Sequence, residues 1–201
     1  MSNNQQQLRQ RILDYSMEQF ISQGVKNVKV DDIAAALTIS KRTLYAMFSD
    51  KEQLLLESIK AQMARSNKKM EKVIAEAANP LEGYMKVLNL KLQELQNVNP
   101  VFYKEIGKYE SCIKLFESER VRRQAHALEF IEKCVAEGLF LPDINYKLIT
   151  QMTDIIGTAL NENCLYEKYP LEDIIHSIHL SLIRGISTAK GLEVINAIYH
   201  K

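Results

Sequence analysis

The feature that most constrains the fold of this chain is the stretch at residues 28–54, which reads VKVDDIAAALTISKRTLYAMFSDKEQL. Its pattern predicts a short helix over residues 31–37, with two acidic residues in the first turn, where the helix dipole favours them. A turn at Thr38 follows, and Ser40 is a suitable N-cap for a second helix that ends near Phe48. Two short helices joined by such a turn are typical of a helix-turn-helix.

The second of these helices has an apolar face and a polar face. Leu44 and Phe48 recur at helical spacing with Met47, and are predicted to point into a core. The opposite face carries a basic pair, a hydroxyl, a tyrosine and a small residue, namely Lys41, Arg42, Thr43, Tyr45 and Ala46. Such side chains suit a helix that enters the major groove of DNA. Spacing alone fits a helical hairpin with a solvated charged face equally well.

The same segment resembles the DNA-binding domain of TetR-family transcriptional repressors, over about the first quarter of the chain. The residues that carry the resemblance are collinear with the family pattern: Gly24, Val28, Val30, Ile33, Ala34, Ile39, Ser40, Thr43, Leu44, Tyr45, Phe48, Lys51, Glu52 and Leu54. The chain has Leu37 and Thr38 in the turn, where the family usually has Ala-Gly, and Arg42 where Gly is frequent. A β-branched residue such as Thr38 resists the positive φ that a turn of this kind requires.

The DNA contacts are predicted from this helix and from the start of the next. We expect Arg42, Thr43 and Lys41 to reach base edges or nearby phosphates. Tyr45 and Lys51 are expected to contact phosphates, and Lys51 lies at a helix N-terminus whose dipole also favours an anion.

The rest of the sequence predicts helices and no convincing β-strand, so the predicted fold class is all-α. A three-helix helix-turn-helix domain over residues 1–50 is predicted to precede a larger helical domain over residues 51–201, which binds the effector and dimerises. A long helix beginning at Lys51, rather than a flexible linker, joins the two. The last two long helices are predicted over about residues 145–167 and 171–189, and a terminal piece follows Gly191.

These last two long helices carry wide apolar stripes. Core packing accounts for part of each stripe, and the family resemblance implies that both helices pair with their copies in a second subunit as a four-helix bundle. A dimer also suits a helix-turn-helix, because one recognition helix reads only a few base pairs. The residues predicted at this interface are Met152, Ile156, Ile175, Ile178 and Leu182.

The middle helices supply apolar and aromatic residues that fit either an effector pocket or a solid core. The predicted pocket lining is Tyr84, Leu88, Tyr103, Tyr109, Phe116 and Phe130. No cluster of Arg or Lys interrupts it, so an uncharged, apolar small molecule is the favoured effector. The resemblance implies that such a ligand tilts the helix that begins at Lys51, so that the two recognition helices no longer match successive grooves.

Composition and residue spacing argue against a nonspecific nucleic-acid coat, a redox sensor and a metal site. The 26 Lys and Arg against 25 Asp and Glu give a net charge of +1, so the chain is not a polycation that coats nucleic acid. The cysteines, Cys112, Cys134 and Cys164, form no C-x-x-C pair and fit buried hydrophobes better than a redox sensor. His176 and His179 lie one turn apart without a third ligand at metal-binding spacing. No metal and no cofactor are predicted.

The predicted function is a homodimeric, ligand-responsive transcriptional regulator that binds a palindromic operator in double-stranded DNA, most simply as a repressor. An activator is also compatible with the sequence. An enzyme lacks support, because we find no nucleophile elbow, phosphate loop or metal-spaced cluster. An all-helical interaction protein explains the helices but not the basic and hydroxyl residues at 41–43. The polar N-terminus and the absence of a long apolar run lead us to expect a cytoplasmic protein without a membrane span.

Overall fold

The part of the chain that the structure describes is predominantly helical. The structure, a computed structural model, describes residues 3–163 and 165–199. These residues contain no β-strand, and their one pairing of extended backbone is an antiparallel bridge between Phe140 and Ser187. The predicted all-α class is confirmed. Among the same residues, no helix has the length and apolar character needed to cross a membrane.

The first four helices include the two short helices of the predicted helix-turn-helix. They are α1 (Asn3–Gln23), α2 (Val30–Ala36), α3 (Lys41–Met47) and α4 (Lys51–Ala75). Each end of α2 and α3 lies within one residue of its predicted position.

The later helices form the remainder of the fold. They are α5 (Pro80–Gln96), α6 (Pro100–Ile106), α7 (Glu110–Ala136), α8 (Tyr146–Glu162), α9 (Leu165–Lys168), α10 (Leu171–Ile174), α11 (Ser181–Ile186) and α12 (Ala189–Tyr199). A π-helical turn over Ile175–Leu180 joins α10 to α11, so residues 171–186 form one continuous helix.

The chain divides into two compact units. The first unit comprises Met1–Lys69 and Asn97–Glu117, and the second comprises Met70–Gln96 and Ser118–Lys201. The first unit therefore holds most of α4, all of α6 and the start of α7, in addition to the segment predicted as the helix-turn-helix domain. The functional boundary between residues 50 and 51 stays a prediction.

The core of the first unit is formed by apolar side chains from α1, α3 and α4. Ile12, Leu13 and Phe20 lie on one face of α1 and are at most 1% exposed. Leu44 of α3 and Leu54 of α4 are buried in the same cluster. Burial of each such side chain is worth about 1.5–3 kcal/mol, so this core fixes the orientation of α3.

Residues 97–117 belong to the first unit through hydrogen bonds to the end of α1 and the loop after it. The Asn99 backbone N–H donates to the Ile21 carbonyl at 3.0 Å, and its side-chain amide donates to the Ser22 carbonyl at 3.1 Å. The Glu105 carboxylate in α6 accepts the Lys26 backbone N–H at 2.7 Å. The segment at residues 97–117 therefore holds the loop that leads into the helix-turn-helix.

The second unit has a separate core, to which α5, α7, α11 and α12 contribute. Leu81, Leu139 and Ile195 are fully buried there. The backbone of α12 approaches that of Leu139 closely, because a Cβ at Gly191 would lie 2.2 Å from the Leu139 carbonyl oxygen. The start predicted for the terminal piece is wrong: this piece is the helix α12, which begins at Ala189, so Gly191 lies inside it, where only glycine permits this approach.

The predicted helix over residues 145–167 is also wrong at its C-terminal end. α8 ends at Glu162, and the side-chain amide of Asn163 donates to the Ala159 carbonyl at 2.8 Å. Asn competes with helical hydrogen bonding in this way and so favours a helix end. Likewise, the helix predicted to reach residue 189 ends at Ile186.

Candidate nucleic-acid interface

α3 presents its predicted polar face to solvent. Lys41 and Arg42 are exposed, Thr43 is half-buried, and Tyr45 is 47% exposed. Leu44, on the opposite face, is buried in the core of the first unit. The core thus holds one face of α3 and leaves the other face accessible to a large partner such as a DNA groove.

The N-terminus of α3 is capped by Ser40. The Ser40 hydroxyl oxygen accepts the Thr43 backbone N–H at 3.0 Å, and the two hydroxyl oxygens are 2.8 Å apart. A cap of this kind contributes about 1 kcal/mol. The bond between the hydroxyls also orients the Thr43 side chain in the first turn, the part of a recognition helix that contacts base edges.

The turn before α3 has positive φ at Thr38, at 57°. The Thr38 N–H donates to the Ala35 carbonyl and the Ile39 N–H to the Ala34 carbonyl, both at 3.0 Å. This pair of bonds is a Schellman motif, which usually has glycine at the residue with positive φ. Thr38 therefore adopts the conformation that its β-branched side chain resists, and the turn is formed at a cost of about 1–2 kcal/mol.

A groove lies along the outer face of α3, beside the start of α1. It has a volume of about 410 Å³ and is lined by Gln5, Ser40, Arg42, Thr43, Ala46 and Met47. Gln5, which the sequence analysis did not assign, thus lies beside two predicted base contacts. Nothing in the spacing of the sequence links residue 5 to residue 42, because tertiary packing alone brings them together.

Lys41 forms an ion pair that the sequence analysis missed. Its ammonium nitrogen lies 2.5 Å from a carboxylate oxygen of Asp31, in α2. The hydrogen bond to Asp31 and the charge of that carboxylate raise the pKa of Lys41, so its positive charge is retained. The two residues are on different helices, and helical periodicity therefore could not have paired them.

Lys51, the other predicted phosphate contact, is partly buried. Its ammonium group donates to the Lys26 carbonyl at 3.3 Å. Burial lowers the pKa of Lys51, and the carboxylate of Glu105 opposes that shift. Asp50 caps α4 by accepting the Gln53 N–H at 2.8 Å. The phosphate contact of Lys51 stays a prediction.

The predicted effector residues are distributed over both units. Tyr84, Leu88 and Phe130 belong to the second unit, whereas Tyr103, Tyr109 and Phe116 belong to the first unit. Tyr84 stacks on Phe130 with a centroid distance of 4.8 Å, and its hydroxyl is hydrogen-bonded to His179. Tyr103 is 47% exposed. The effector role of all six residues stays a prediction.

The predicted dimer residues lie on a partly exposed apolar surface of the second unit. Met152 is 46% exposed, and Leu148 and Ile155 on the same helix are 53% and 61% exposed. A groove of about 250 Å³ beside them is lined by Thr153, Ile156, Gly157, Leu160, Ile174, Ile175, Ile178, His179 and Leu182. All five predicted interface residues are thus partly accessible on a single chain. Their role in a dimer stays a prediction.

The histidines and cysteines do not form a reactive or metal-binding cluster within the described residues. No group of three or more His, Cys, Asp or Glu side chains there is arranged to hold a metal ion. Cys112 and Cys134 are buried free thiols, and burial raises the pKa of both, to about 12 for Cys134. Cys164 lies outside the described residues.

Known proteins resemble this chain in its helix-turn-helix segment and over most of its length. The family model of bacterial regulatory proteins of the tetR family matches residues 12–58. The chain is 30% identical over 168 residues to the HTH-type transcriptional regulator YvaF of Bacillus subtilis (strain 168), covering 79% of this chain and 85% of that protein. It is 23% identical over 146 residues to the HTH-type transcriptional repressor KstR2 of Mycolicibacterium smegmatis, covering 70% and 71%.

The fold is also similar to that of a solved regulator. The structure of a transcriptional regulator from Saccharomonospora viridis in complex with choline matches with a TM-score of 0.73 and 18% identity, covering 91% of this chain and 99% of that chain. The family model and the 30% identical relative show that the capped helix-turn-helix is that of a DNA-binding transcriptional regulator. This chain belongs to the TetR family of such regulators.

Proposed function

We propose that the protein is a ligand-responsive repressor that binds a palindromic operator as a homodimer. The observation that carries the proposal is the polar face of α3. On this face Arg42 is exposed and the oriented Thr43 is half-buried, whereas Leu44 on the opposite face is buried. Arg pairs with guanine through two hydrogen bonds, and Thr contacts bases through its hydroxyl or methyl group. The groove beside Gln5 gives room for a sugar-phosphate backbone next to these side chains.

Selection of duplexes from a random library tests the operator prediction. A homodimer should select an inverted repeat whose half-sites are centred about one helical turn, or a multiple of it, apart. Native mass spectrometry of the selected complex should find an even number of chains per duplex. Recovery of a single unrepeated site bound by one chain would refute the homodimeric repressor.

The exposed apolar side chains of α8 support the homodimer. A stripe of Leu148, Met152 and Ile155 would be covered by a second copy, because large apolar patches on soluble proteins usually mark interfaces. Replacing both Ile156 and Ile178 with Glu should bury unpaired charges in that interface, at a cost of several kcal/mol.

Sedimentation velocity measures the effect of the double variant. We expect the double variant to be a folded monomer. Val121→Glu is the control, because Val121 is a 64% exposed residue of the second unit outside the predicted interface. That control should stay dimeric. A double variant that remains a dimer would place the interface elsewhere.

The effector is proposed to be uncharged and largely apolar. Among proteins of similar fold, the names and ligands refer to choline, ketosteroids, fatty acid degradation and a γ-butyrolactone, so the fold does not select one ligand class. The stacked pair of Tyr84 and Phe130 supports a flat or apolar ligand in the second unit. A bound ligand raises stability by about 2.7 kcal/mol at a hundredfold excess over its Kd.

A thermal-shift screen of neutral and anionic compounds tests the effector class. A compound that raises the melting temperature should also release the selected duplex, and the duplex should weaken that compound's binding by the same factor. Phe130→Ala should reduce the shift, whereas Val121→Ala, at a 64% exposed position of the second unit outside the predicted lining, should not. Hits confined to multiply charged anions would contradict the proposed class, and hits indifferent to DNA would contradict the coupling.

A further inference from the structure

We propose that Asp31 competes with DNA phosphate for the Lys41 side chain and thereby limits the affinity of α3 for every duplex. This inference rests on the proposed operator binding and adds a residue that tunes it. Asp31 itself makes no DNA contact in this account. It acts through Lys41, which is the first residue of α3.

The geometry places this ion pair at the edge of the proposed interface. The Lys41 ammonium nitrogen and the Asp31 carboxylate oxygen are 2.5 Å apart, and the side chains keep 64% and 48% of their surface exposed. Lys41 is next to Arg42, which lines the groove along α3. A phosphate that approaches this groove therefore meets a lysine that already has an anionic partner.

The pair can exchange partners because it is exposed. Exposed ion pairs contribute little to stability, since water and salt screen them and both side chains lose rotamer freedom. A DNA phosphate lies in a far denser array of negative charge than a single carboxylate. Lys41 can therefore transfer to the phosphate, and Asp31 is then left beside the DNA backbone as an unpaired negative charge.

This exchange should be visible in the salt dependence of binding. A lysine that contacts a phosphate releases about one counterion from DNA. If the same step frees the Asp31 carboxylate, that carboxylate attracts a cation from the solution, so the net number of ions released on binding is smaller. Wild-type protein should therefore show a shallower dependence of affinity on salt than a variant that lacks the Asp31 charge.

A purely structural role for the pair predicts a different result. Asp31 and Lys41 belong to α2 and α3, so their bond also fixes the angle between the two helices. In that case Asp31→Asn would lower the melting temperature and weaken DNA binding. The two roles thus predict opposite changes in affinity.

The experiment measures binding of the full-length protein to its selected duplex and to a random-sequence duplex over a range of salt concentrations. The variants are Asp31→Asn and Asp32→Asn, each made in the wild-type and in the Lys41→Gln background. Asp32→Asn is the matched control, because Asp32 is also an exposed carboxylate in the first turn of α2, and its charge affects Lys41 less than that of Asp31, which is hydrogen-bonded to Lys41.

Asp31→Asn should bind both duplexes up to about five-fold more tightly than Asp32→Asn, with a salt slope steeper by at most about one. In the Lys41→Gln background, the two Asn variants should be equivalent. Equal effects of Asp31→Asn and Asp32→Asn in the wild-type background, or weaker binding by Asp31→Asn, would overturn the inference. Failure of wild-type protein to bind any selected duplex would instead overturn the proposed function.

Discussion

The two units of this chain differ in how their predicted functional residues are distributed along the sequence. In the first unit, the predicted DNA contacts lie within residues 41–51, on one helix and the start of the next. In the second unit, the predicted interface and the contact between Tyr84 and His179 join residues far apart in sequence. A site made from a local motif can be predicted from sequence, whereas a site assembled by packing needs the structure.

The largest expected effect concerns the close approach of α12 to Leu139 in the second unit. Gly191→Ala would place a Cβ 2.2 Å from a backbone oxygen, so we expect a loss of about 2–3 kcal/mol in the stability of the second unit. Gly185→Ala is the matched control, because no atom lies within 4 Å of its added Cβ and Ala favours a helix by about 1 kcal/mol.

Thiol labelling followed by mass spectrometry can assign this effect to one unit. Cys112 is buried in the first unit and Cys134 in the second, so their labelling rates report opening of each unit separately. Gly191→Ala should accelerate labelling of Cys134 more than that of Cys112. Equal acceleration of both would mean that the two units open together, and no acceleration would contradict the close packing at Leu139.

The second prediction concerns two helix ends in the first unit. One variant introduces a glycine at its helix end, and the other replaces a glycine. Thr38 and Gly24 both have positive φ, at 57° and 80°. Thr38→Gly should stabilise the first unit by about 1 kcal/mol, because it removes the cost of a β-branched residue in the left-handed region. Gly24→Ala should destabilise it by a similar amount, since its Cβ would lie 2.9 Å from a Val101 methyl group.

Denaturant titrations of both variants, with Cys112 labelling as the local readout, measure these changes. DNA affinity of Thr38→Gly should be unchanged when the protein is fully folded, because the turn keeps its conformation. A Thr38→Gly variant that is less stable than wild type would show that the Thr38 side chain makes a compensating contact.

The smallest effect is a pH dependence confined to the second unit. Burial, with a smaller contribution from the charge of Lys91, lowers the pKa of His179 in the folded protein. Above the unfolded pKa of about 6.5 the imidazole is neutral in both states, so it has no effect there. As the pH falls below that value, the unfolded chain binds the proton first, and the stability of the second unit declines until the lowered folded pKa is reached.

His179→Gln should remove this decline, whereas His126→Gln, at an exposed position, should not. The first unit contains no histidine, so its Cys112 labelling should differ little between the variants at each pH. A decline that persists in His179→Gln would assign the acid sensitivity to another group.

Local chemistry explains why helix ends such as the N-terminus of α3 can be predicted from the sequence. Gly24 ends α1, and its N–H donates to the Phe20 carbonyl. Ser40 caps α3 and Asp50 caps α4, as their residue types favour. Such caps act over three or four residues and are therefore visible in the sequence.

Tertiary contacts explain what the sequence did not predict. The place of Gly191 inside α12 could not be predicted, because the carbonyl that requires a glycine there belongs to Leu139, far from it in the sequence. Asp31 pairs with Lys41 across a turn, and Arg9 binds Glu57 at 3.0 Å and lies over the ring of Phe48. None of these partners follows from helical periodicity.

The central claim is that the exposed face of α3 reads DNA sequence, and the direct test is the ratio of affinities for the selected duplex and a scrambled one. Arg42→Ala should reduce that preference by about 1–3 kcal/mol, since it removes a base contact. Arg122→Ala, an exposed arginine paired with Glu119 in the second unit, should leave the ratio unchanged. If Arg42→Ala weakens binding to both duplexes equally, Arg42 contacts only phosphates and the account of sequence recognition by α3 is contradicted.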